Sequence, residues 1–544
     1  MDEPDAPSSA ASQSRAANRL LIGAIAVAAL GGALAATTYR SFDLDRFFLP
    51  KELALDVGAG VAALTLVGRR RACEWTLADL LLAGWLALSL LSAAGATNGW
   101  HAFRALGITL GGAVMFWSGA ALRGAGRFRN VAAILAVAAT AASASALAQA
   151  YGADWTIFSA NRAPGGMLGN RNFVAHAAAM SIPLLVWLAG TSRSAGGITL
   201  GVVGLLANTA VLVLSRTRAA WLAVAVWIVV MALVAWRSRD VTRAAIVPRR
   251  GRVVIAALLA GIVLALMIPN TLDWNSDSPY LDSVRGVVNY REGSGAGRVR
   301  QYVTSLKLAK AHPVLGVGPG NWPVEYPAVA PRNDPSLSDA TAMTSNPWPS
   351  SDWVAAVSER GVLATLVLAA LTVTLLVCAW RGWRDAVYSS RERLAALAGG
   401  SVVLIAAIEG MFDAVSLLSF ASTFIWAAAG ALIPLGNRVW RGGPAGRGRA
   451  YLMGATALIW LGFVTATAGK VHAMRLYSTG TLAGVRAAAA FDPGSYRIQL
   501  RAAELLATRG MCEPARRSAA AAQRLFPHAS RPRAALGRCG GPAK

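Results

Sequence analysis

Two short segments rich in arginine carry the side chains with the clearest chemical use. One reads Ser-Arg-Thr-Arg-Ala-Ala-Trp-Leu and contains Arg216 and Arg218, and the other reads Gly-Ala-Gly-Arg-Val-Arg and contains Arg298 and Arg300. A guanidinium is permanently charged, and its planar fork of N–H donors matches phosphate oxygens. The two segments are therefore candidates for an anion-binding site. The alternative is ordinary contact with lipid headgroups or, for the second segment, an ordinary interfacial helix.

A glycine-rich segment follows the second arginine pair. It reads Pro-Val-Leu-Gly-Val-Gly-Pro-Gly-Asn-Trp. Glycine permits tight turns and close approach of the backbone to a ligand, so Gly316, Gly318, Gly320 and Asn321 are candidate substrate contacts. No Gly-Lys-Ser or Gly-Lys-Thr follows and no strand precedes the segment, which excludes a nucleotide-binding loop.

The rest of the sequence indicates which elements must position these residues. The 544 residues are 55% hydrophobic and 15% charged, and the apolar residues form continuous blocks. Such blocks, of about 17–25 residues, match helices that cross a bilayer, whereas barrel strands would be shorter and would alternate in polarity. We predict an all-α, polytopic transmembrane bundle of about thirteen spans. The predicted spans are 20–38, 52–68, 77–96, 101–122, 130–150, 172–190, 198–214, 219–236, 253–268, 354–380, 394–411, 417–435 and 451–469.

The placement of arginine predicts the orientation of the bundle. The formal charge is +25, but the arginines do not form one basic domain with interleaved aromatic residues, so nucleic acid is not a predicted partner. Counted alternately from an inside N-terminus, the inner loops are rich in arginine, which is the positive-inside pattern. The inner-loop arginines are Arg69, Arg70, Arg71, Arg123, Arg127, Arg129, Arg193, Arg237, Arg239, Arg243, Arg249, Arg250, Arg252, Arg381, Arg384, Arg438, Arg441, Arg447 and Arg449.

This orientation predicts three regions. Residues 1–19 form a cytoplasmic tail, residues 20–469 form the transmembrane domain with a large outer loop at 269–353, and residues 470–544 form a small helical tail on the outer side. The first apolar block lacks a convincing cleavage site, so we predict a retained signal anchor. The two arginine segments then lie at the outer headgroup level, where an obvious anion is a polyprenyl phosphate or pyrophosphate.

Ionisable residues of the predicted spans gather near the outer ends. Asp56, Arg104, His176 and Glu409 lie there, with Asp413 just beyond, and Asp79 near an inner end is the exception. A transporter would be expected to place such residues near the membrane midplane, where they are costly unless they are used. The pattern therefore favours chemistry at the outer surface.

Several separate segments resemble the O-antigen ligase and polymerase superfamily. Leu-Gly-Asn-Arg-Asn-Phe-Val-Ala is similar to the family's Gly-Asn-Pro-Asn-Phe-x-Ala entry into a span, and it makes Asn170, Arg171 and Asn172 candidate substrate contacts, with Arg171 in place of the proline. Thr-Arg-Ala-Ala-Trp-Leu at 217–222 is similar to the family's Ser-Arg-Gly-Ala-Trp-Leu. The second arginine segment, followed by His-Pro and the glycine-rich segment, is similar to the stretch that leads to the family's Gly-x-Gly-x-Gly-Asn-Phe. The resemblance covers roughly 50–435.

The resemblance implies a membrane glycosyltransferase that uses a polyprenyl-linked sugar at the outer face, with no cofactor, no metal ion and no nucleotide sugar. Arg218 and Arg298 would be catalytic, because they would stabilise the negative charge that develops on the leaving pyrophosphate. Arg216 and Arg300 would assist them. The family divides into lipopolysaccharide ligases, chain polymerases and protein O-oligosaccharyltransferases, and the sequence leaves these three acceptor classes open.

One departure from the family pattern concerns the mechanism. The family often has a histidine shortly before Glu-x-Gly that is thought to assist the acceptor hydroxyl, and Ser350 stands in its place. Asp352 or Glu359 would take over as the catalytic base if either carboxylate lies within hydrogen-bond reach of the acceptor. The alternative role of Asp352 is a cap on the following helix.

The C-terminal tail has a pattern of its own. Phe-Asp-Pro at 491–493 and Leu-Phe-Pro at 525–527 recur at the 34-residue period of a tetratricopeptide repeat, so the tail resembles a degenerate repeat. One repeat and a fragment cannot bury a full solenoid core, and the tail is expected to pack on the membrane domain, bind a protein partner or remain mobile. Cys512 and Cys539 lie in the tail, where a disulfide and two free thiols stay equally open. The histidines lack the spacing of a metal-ligand set, so we predict no metal site.

Together these features predict a multi-pass protein of the bacterial inner membrane with a cytoplasmic N-terminus and a periplasmic C-terminus. It would transfer or polymerise glycan from an undecaprenyl-pyrophosphate-linked donor. The predicted partners are this donor, a glycan, lipid A-core or protein acceptor, membrane lipids and a protein that binds the tail. Two alternatives remain, namely a polysaccharide flippase or transporter, and an inactive scaffold that lost the histidine.

Overall fold

The structure of the chain is a computed structural model that describes residues 9–69, 73–239, 248–274, 276–286, 293–338, 341, 343–433, 438–442 and 447–539. Arg70, Arg71 and Arg243 of the predicted inner loops lie outside these residues, as do the two ends of the chain. The described chain consists almost entirely of helices, because its long apolar runs satisfy their backbone hydrogen bonds internally. The all-α prediction is confirmed.

The helices of the membrane domain follow the predicted spans closely. They are α1 (Ser9–Leu34), α2 (Asp45–Gly68), α3 (Leu77–Ala94), α4 (Gly99–Gly124), α5 (Phe128–Ala150), α6 (Arg171–Thr191), α7 (Ala195–Ser215), α8 (Arg218–Arg237) and α9 (Pro248–Met267), then, after the predicted outer loop, α13 (Asp352–Arg384), α14 (Ser390–Glu409), α15 (Ser419–Gly430) and α16 (Arg447–Tyr477). The outer loop contains three shorter helices, α10 (Pro279–Arg285), α11 (Gly293–Ala311) and α12 (Trp322–Val329). Strands β1 (Cys73–Thr76) and β2 (Arg438–Gly442) form one antiparallel pair.

Among the described residues, 10 helices are long and apolar enough to cross a membrane. They are α1, α3 to α9, α13 and α16. The other three predicted spans also form helices, but α2 and α14 carry several charged residues. Helix α15 has only 12 residues, fewer than the roughly 17 that a spanning helix needs. The chain is therefore a multi-pass helical bundle, and the full count of about thirteen spans stays a prediction.

Small residues let the helices of the bundle approach each other closely. A Cβ added at Gly119 of α4 would overlap the carbonyl of Ala427, and one at Gly430 of α15 would overlap the carbonyl of Phe116. Close backbone contact of this kind is a usual basis of helix association in lipid, where burial of apolar side chains gives no net advantage. The short helix α15 is thus held in the middle of the bundle.

The charges of α2 are paired with neighbouring helices. Arg104 of α4 donates to both carboxylate oxygens of Glu52 at 2.8 Å and lies 2.8 Å from Asp45. Asp56 accepts a hydrogen bond from Thr467 of α16 at 2.7 Å. Pairing lowers the cost of placing charges within a helix bundle. These contacts also fix α16, which leads into the tail, against the bundle.

The tail packs on the membrane domain. Its helices are α17 (Leu482–Phe491), α18 (Tyr496–Ala507), α19 (Cys512–Leu525) and α20 (Arg531–Ala534). Nδ2 of Asn98, in the loop between α3 and α4, donates to the carbonyl of Leu525 at 3.0 Å, and the ring of Phe526 lies 5.4 Å from that of His101. Cys512 and Cys539 form a disulfide, which decides between the two options above. The likeness to a tetratricopeptide repeat stays a prediction.

Candidate functional site

Polar residues of the predicted outer end meet at Asp413, in the turn between α14 and α15. Its Oδ2 atom accepts a hydrogen bond from Nδ2 of Asn172 at 2.9 Å. The same atom lies 3.3 Å from Nε2 of His176 and 3.9 Å from Nη2 of Arg298. Burial would raise the pKa of this carboxyl, but the hydrogen bond and charge of His176 and the charge of Arg298 hold the pKa below its ordinary value. An ionised carboxylate thus joins α6, α11 and this turn.

The hydrogen bonds continue from Asp413 to the first arginine segment. Oδ1 of Asn172 accepts a hydrogen bond from the hydroxyl of Thr217 at 3.2 Å, and Arg218 follows directly as the first residue of α8. Arg298 lies beside the other end of the same chain of contacts, at Asp413. The structure therefore brings the two arginine segments together through Asp413, Asn172 and Thr217.

The arginines of the two segments differ in their contacts with the protein. The guanidinium of Arg218 donates to the carbonyl of Gly286, at the end of α10. The side chain of Arg298 is 28% exposed, and within the described residues its only polar contact is the one with Asp413. Arg300 lies on the same helix and is exposed. Most N–H donors of Arg298 thus remain available to a ligand.

Two more arginines extend the positive region beside Trp274. The guanidinium carbon of Arg171 lies 5.1 Å from the centre of the Trp274 ring, and that of Arg216 lies 4.7 Å from it. Nε of Arg216 also donates to the hydroxyl of Ser283 at 2.8 Å. These two like charges thus lie against one aromatic ring. The arrangement suits a ligand with more than one negative charge.

Residues 200–369 match a family model described as O-antigen ligase. The match supports a relation of this region to the O-antigen ligase and polymerase superfamily. The match supports a membrane glycosyltransferase of the ligase or polymerase type, and it includes Arg218, Arg298 and Asp352. Asn172 and Asp413, which connect the arginine segments, lie outside the matched region. No curated protein matches the chain.

Asp352 of the matched region faces the turn that carries Asp413. Its carboxylate accepts hydrogen bonds from the backbone N–H groups of Val415 and Ser416 at 3.0 and 2.8 Å. The cap of α13 is Ser351, whose side chain accepts from the third N–H of that helix, so the alternative of Asp352 as the cap is wrong. Asp352 instead holds this turn and remains partly accessible.

Helix α11 connects Arg298 with the segment before Asp352. The hydroxyl of Tyr302, one turn after Arg298, donates to the carbonyl of Ser350 at 2.6 Å. The side chain of Gln301 accepts from the N–H of Ser350 at 2.6 Å. Ser350, which replaces the family histidine, is thus held through its backbone. Of the two predicted carboxylate bases, Asp352 is the one that contacts the turn carrying Asp413.

Replacing Asp352 tests whether its carboxylate acts as the catalytic base. Asp352→Asn keeps an amide oxygen for one of the two backbone N–H groups but cannot accept a proton, so we expect a fall in turnover of about 100-fold, similar to that of Asp352→Ala. Transfer to an acceptor in reconstituted vesicles measures the effect. Asp385→Ala, at the other end of α13, removes an exposed carboxylate that also accepts a backbone N–H and should leave turnover unchanged. Near-normal turnover of Asp352→Asn would limit Asp352 to holding the turn.

The glycine-rich segment supplies hydrogen-bond donors at a break in helix α13. Helix α13 is interrupted at Gly361, where φ is 83°. The N–H groups of Val317 and Gly318 donate to the carbonyls of Ser358 and Glu359 at 3.0 and 2.9 Å. These carbonyls lose their usual helical donors at the break, and the segment replaces them. The Gly-x-Gly-x-Gly and Glu-x-Gly patterns therefore form the two sides of one contact, between the glycine-rich segment and the break in α13.

The remaining predicted contacts in this segment are enclosed by protein. A Cβ at Gly316 would overlap the backbone of Glu359, and one at Gly320 would lie 2.9 Å from the carbonyl of His101. Asn321 is fully buried, and its side chain bonds both backbone groups of Asn98, at 2.7 and 3.2 Å. Glu359 is also buried. The structure does not bring Gly316, Gly318, Gly320, Asn321 or Glu359 to the arginine segments.

Asn170 has a structural contact as well. Its side chain accepts hydrogen bonds as the cap of α6, from the N–H of Asn172 at 3.0 Å. This cap fixes where α6 begins and therefore where the Asn172 side chain lies. The Asn-x-Asn motif thus combines a helix start with the connection from Asp413 to Thr217.

Sequence reasoning placed His176, Glu409 and Asp413 at the outer end but did not bring them together. A signal was present: Asn172 and His176 are four residues apart, as are Glu409 and Asp413. Residues four apart lie on one face of a helix, so Asn172 and His176 share one face of α6, and Glu409 and Asp413 mark the end of α14 and the turn after it as the polar surface that could meet this face. Which helices face each other cannot be read from spacing alone.

Proposed function

We propose that the chain transfers or polymerises glycan from an undecaprenyl-pyrophosphate-linked donor at the outer face of the bacterial inner membrane. The observation that supports the proposal is the meeting of the two arginine segments at Asp413 and Asn172, with most donors of Arg298 unused by the residues that the structure describes. A diphosphate carries several anionic oxygens, and guanidinium groups from separate loops suit such a ligand.

The proposed reaction is a single displacement. The oxygen of an acceptor hydroxyl attacks the anomeric carbon of the donor sugar, and a new glycosidic bond forms with inversion. The bond between that carbon and the diphosphate oxygen breaks, and the undecaprenyl pyrophosphate leaves with the electron pair. Arg218 and Arg298, with Arg216, Arg300 and Arg171 nearby, stabilise the charge that develops on the leaving oxygen.

The proton of the acceptor hydroxyl goes to a carboxylate in this proposal. Asp352 is our first candidate, because it lies at the turn that carries Asp413 and is linked to Arg298 through α11. Glu359 is a weaker candidate, since its carboxylate is buried at the junction with the glycine-rich segment. A carboxylate in reach of the hydroxyl would take over the role of the family histidine that Ser350 replaces.

Reconstitution tests the proposal directly. The full chain is placed in vesicles with an undecaprenyl-pyrophosphate-linked oligosaccharide and, in separate samples, a glycan, lipid A-core or protein acceptor. We expect product with one acceptor class and a loss of about 100-fold or more in Arg298→Ala. Arg332→Ala, an exposed arginine of the same outer loop, serves as the matched control and should keep full activity. Full turnover of Arg298→Ala would overturn the site.

A deletion strain separates the enzyme from the alternatives. Lipid-linked oligosaccharide that accumulates on the outer face of the membrane supports the transferase, because the donor is exported but not consumed. Accumulation on the inner face would indicate a flippase. A strain with no change in surface glycan would favour an inactive scaffold, and both of these results contradict the proposal.

A further inference from the structure

Behind Asp413 lies a buried group of ionisable side chains that the proposed reaction does not use directly. His176 of α6 is 1% exposed, and Glu409 of α14 is completely buried. Nδ1 of His176 lies 3.1 Å from Oε1 of Glu409, and Nε2 lies 3.3 Å from Oδ2 of Asp413. Ionisable groups at such positions in a membrane protein are costly and are usually retained for a function.

The geometry determines how many protons the three groups share. Both ring nitrogens of His176 face a carboxylate oxygen, and a neutral imidazole carries only one N–H. If both contacts carry a proton, either the ring is an imidazolium or one carboxyl is protonated, and in both cases the group holds two protons and a net charge of −1. Neither oxygen of Glu409 has a well-formed hydrogen bond within the described part of the chain. His176 is thus the group placed to balance Glu409, either by its own charge or by sharing a proton.

Among the described residues, it is Asp413 that connects this group to the arginine segments. Glu409 is enclosed, whereas the side chain of Asp413 is 11% exposed and lies beside Arg298. The contacts of Asp413 with His176 and Asn172 leave its carboxylate little freedom to rotate. The direction of Asp413 therefore depends on His176, and the position of Arg298 depends on Asp413.

We propose that His176 and Glu409 are positioning residues that keep the Asp413 carboxylate ionised and directed at Asn172 and Arg298, so that Arg298 is aimed at the diphosphate of the donor. This inference rests on the proposed function. Glu409 holds the ring of His176 on one side, and His176 holds the carboxylate of Asp413 on the other. Loss of either residue would free Asp413 to pair with Arg298 more closely and withdraw the guanidinium from the ligand.

The variant His176→Gln tests the proposal, because glutamine can bond only as a neutral group. We expect kcat/KM for an undecaprenyl-pyrophosphate-linked oligosaccharide to fall by about 30-fold, mainly through kcat, because Arg298 stabilises charge that develops in the transition state. Ser181→Ala changes another fully buried polar residue of α6 that bonds only within its helix, and it should match the wild type. Glu409→Gln is the second variant, should His176→Gln fail to yield folded protein.

The decisive measurement is a double-mutant cycle with Arg298→Lys, a variant chosen to keep measurable turnover. If His176 acts through Arg298, adding His176→Gln to Arg298→Lys should lower kcat/KM by less than about 3-fold. The full 30-fold fall in that background would overturn the positioning role, because the effect would then not pass through Arg298. Unchanged turnover of Arg298→Lys and Arg298→Ala would instead contradict the proposed function, so the two failures are distinguishable.

Discussion

Replacing Arg218 with alanine is expected to lower glycan transfer by about 100- to 1,000-fold, the usual cost of removing one charged or polar donor from a site where negative charge develops. Replacing it with lysine is expected to cost about 10-fold, because the charge stays but the planar fork is lost. The effect should appear mainly in kcat, since charge on the leaving oxygen is greatest in the transition state. Vesicles with an undecaprenyl-pyrophosphate-linked donor provide the assay.

Helix α8 offers its own control for this prediction. Arg237 is the last residue of α8 and is exposed, whereas Arg218 is the first. Arg237→Ala should leave transfer and thermal stability unchanged. Arg218 also holds Gly286, so its variants need a measurement of folding. Normal transfer in Arg218→Ala would rule out a catalytic role of Arg218. A loss of transfer that is fully explained by loss of folded protein would reduce the role of Arg218 to support of α10.

Much of the fold could be predicted because long apolar runs have few options in lipid. Each predicted span has a helix in the described structure, and the ends agree within a few residues for most of them. The predicted span at 417–435 corresponds to a helix of only 12 residues. Composition could not reveal this, because an apolar residue in a turn enclosed by other helices reads the same as one in a helix.

The candidate site was predicted in part. Arginine chemistry and position selected Arg218 and Arg298, and the structure joins their segments through Asn172. The glycine-rich segment was predicted as a ligand contact because glycine allows close approach of any group. Here the approaching group is the backbone of α13. Sequence cannot distinguish approach by a ligand from approach by a helix.

Residues from outside the matched family region complete the site. Residues 200–369 include both arginine segments, but Asn172 and His176 come from α6, and Glu409 and Asp413 come from the end of α14 and the turn after it. Contacts between helices so distant in sequence depend on the packing of the whole bundle. The arginines alone therefore do not define the site, and variants of α6 should affect transfer although α6 precedes the matched region.

The second large effect is expected at the break in α13. Gly361 has φ 83° and ψ 174°, a combination that only glycine adopts easily, and a Cβ there would overlap the carbonyl of Val314. Gly361→Ala is therefore expected to destabilise the protein by about 3 kcal/mol or more, since backbone strain of about 1–3 kcal/mol adds to the overlap. Thermal unfolding of the purified protein measures the change.

A second glycine, which has room for a side chain, is the control for this prediction. Gly462, inside α16, has no atom within 4 Å of an added Cβ, so Gly462→Ala should stabilise its helix by about 0.5–1 kcal/mol. In Gly361→Ala, α13 would tend to close its own hydrogen bonds and expel Val317 and Gly318 from the carbonyls of Ser358 and Glu359. Transfer should then fall together with stability, because α13 also carries Asp352. A Gly361→Ala protein as stable as the wild type would show that the break is not needed to hold the glycine-rich segment.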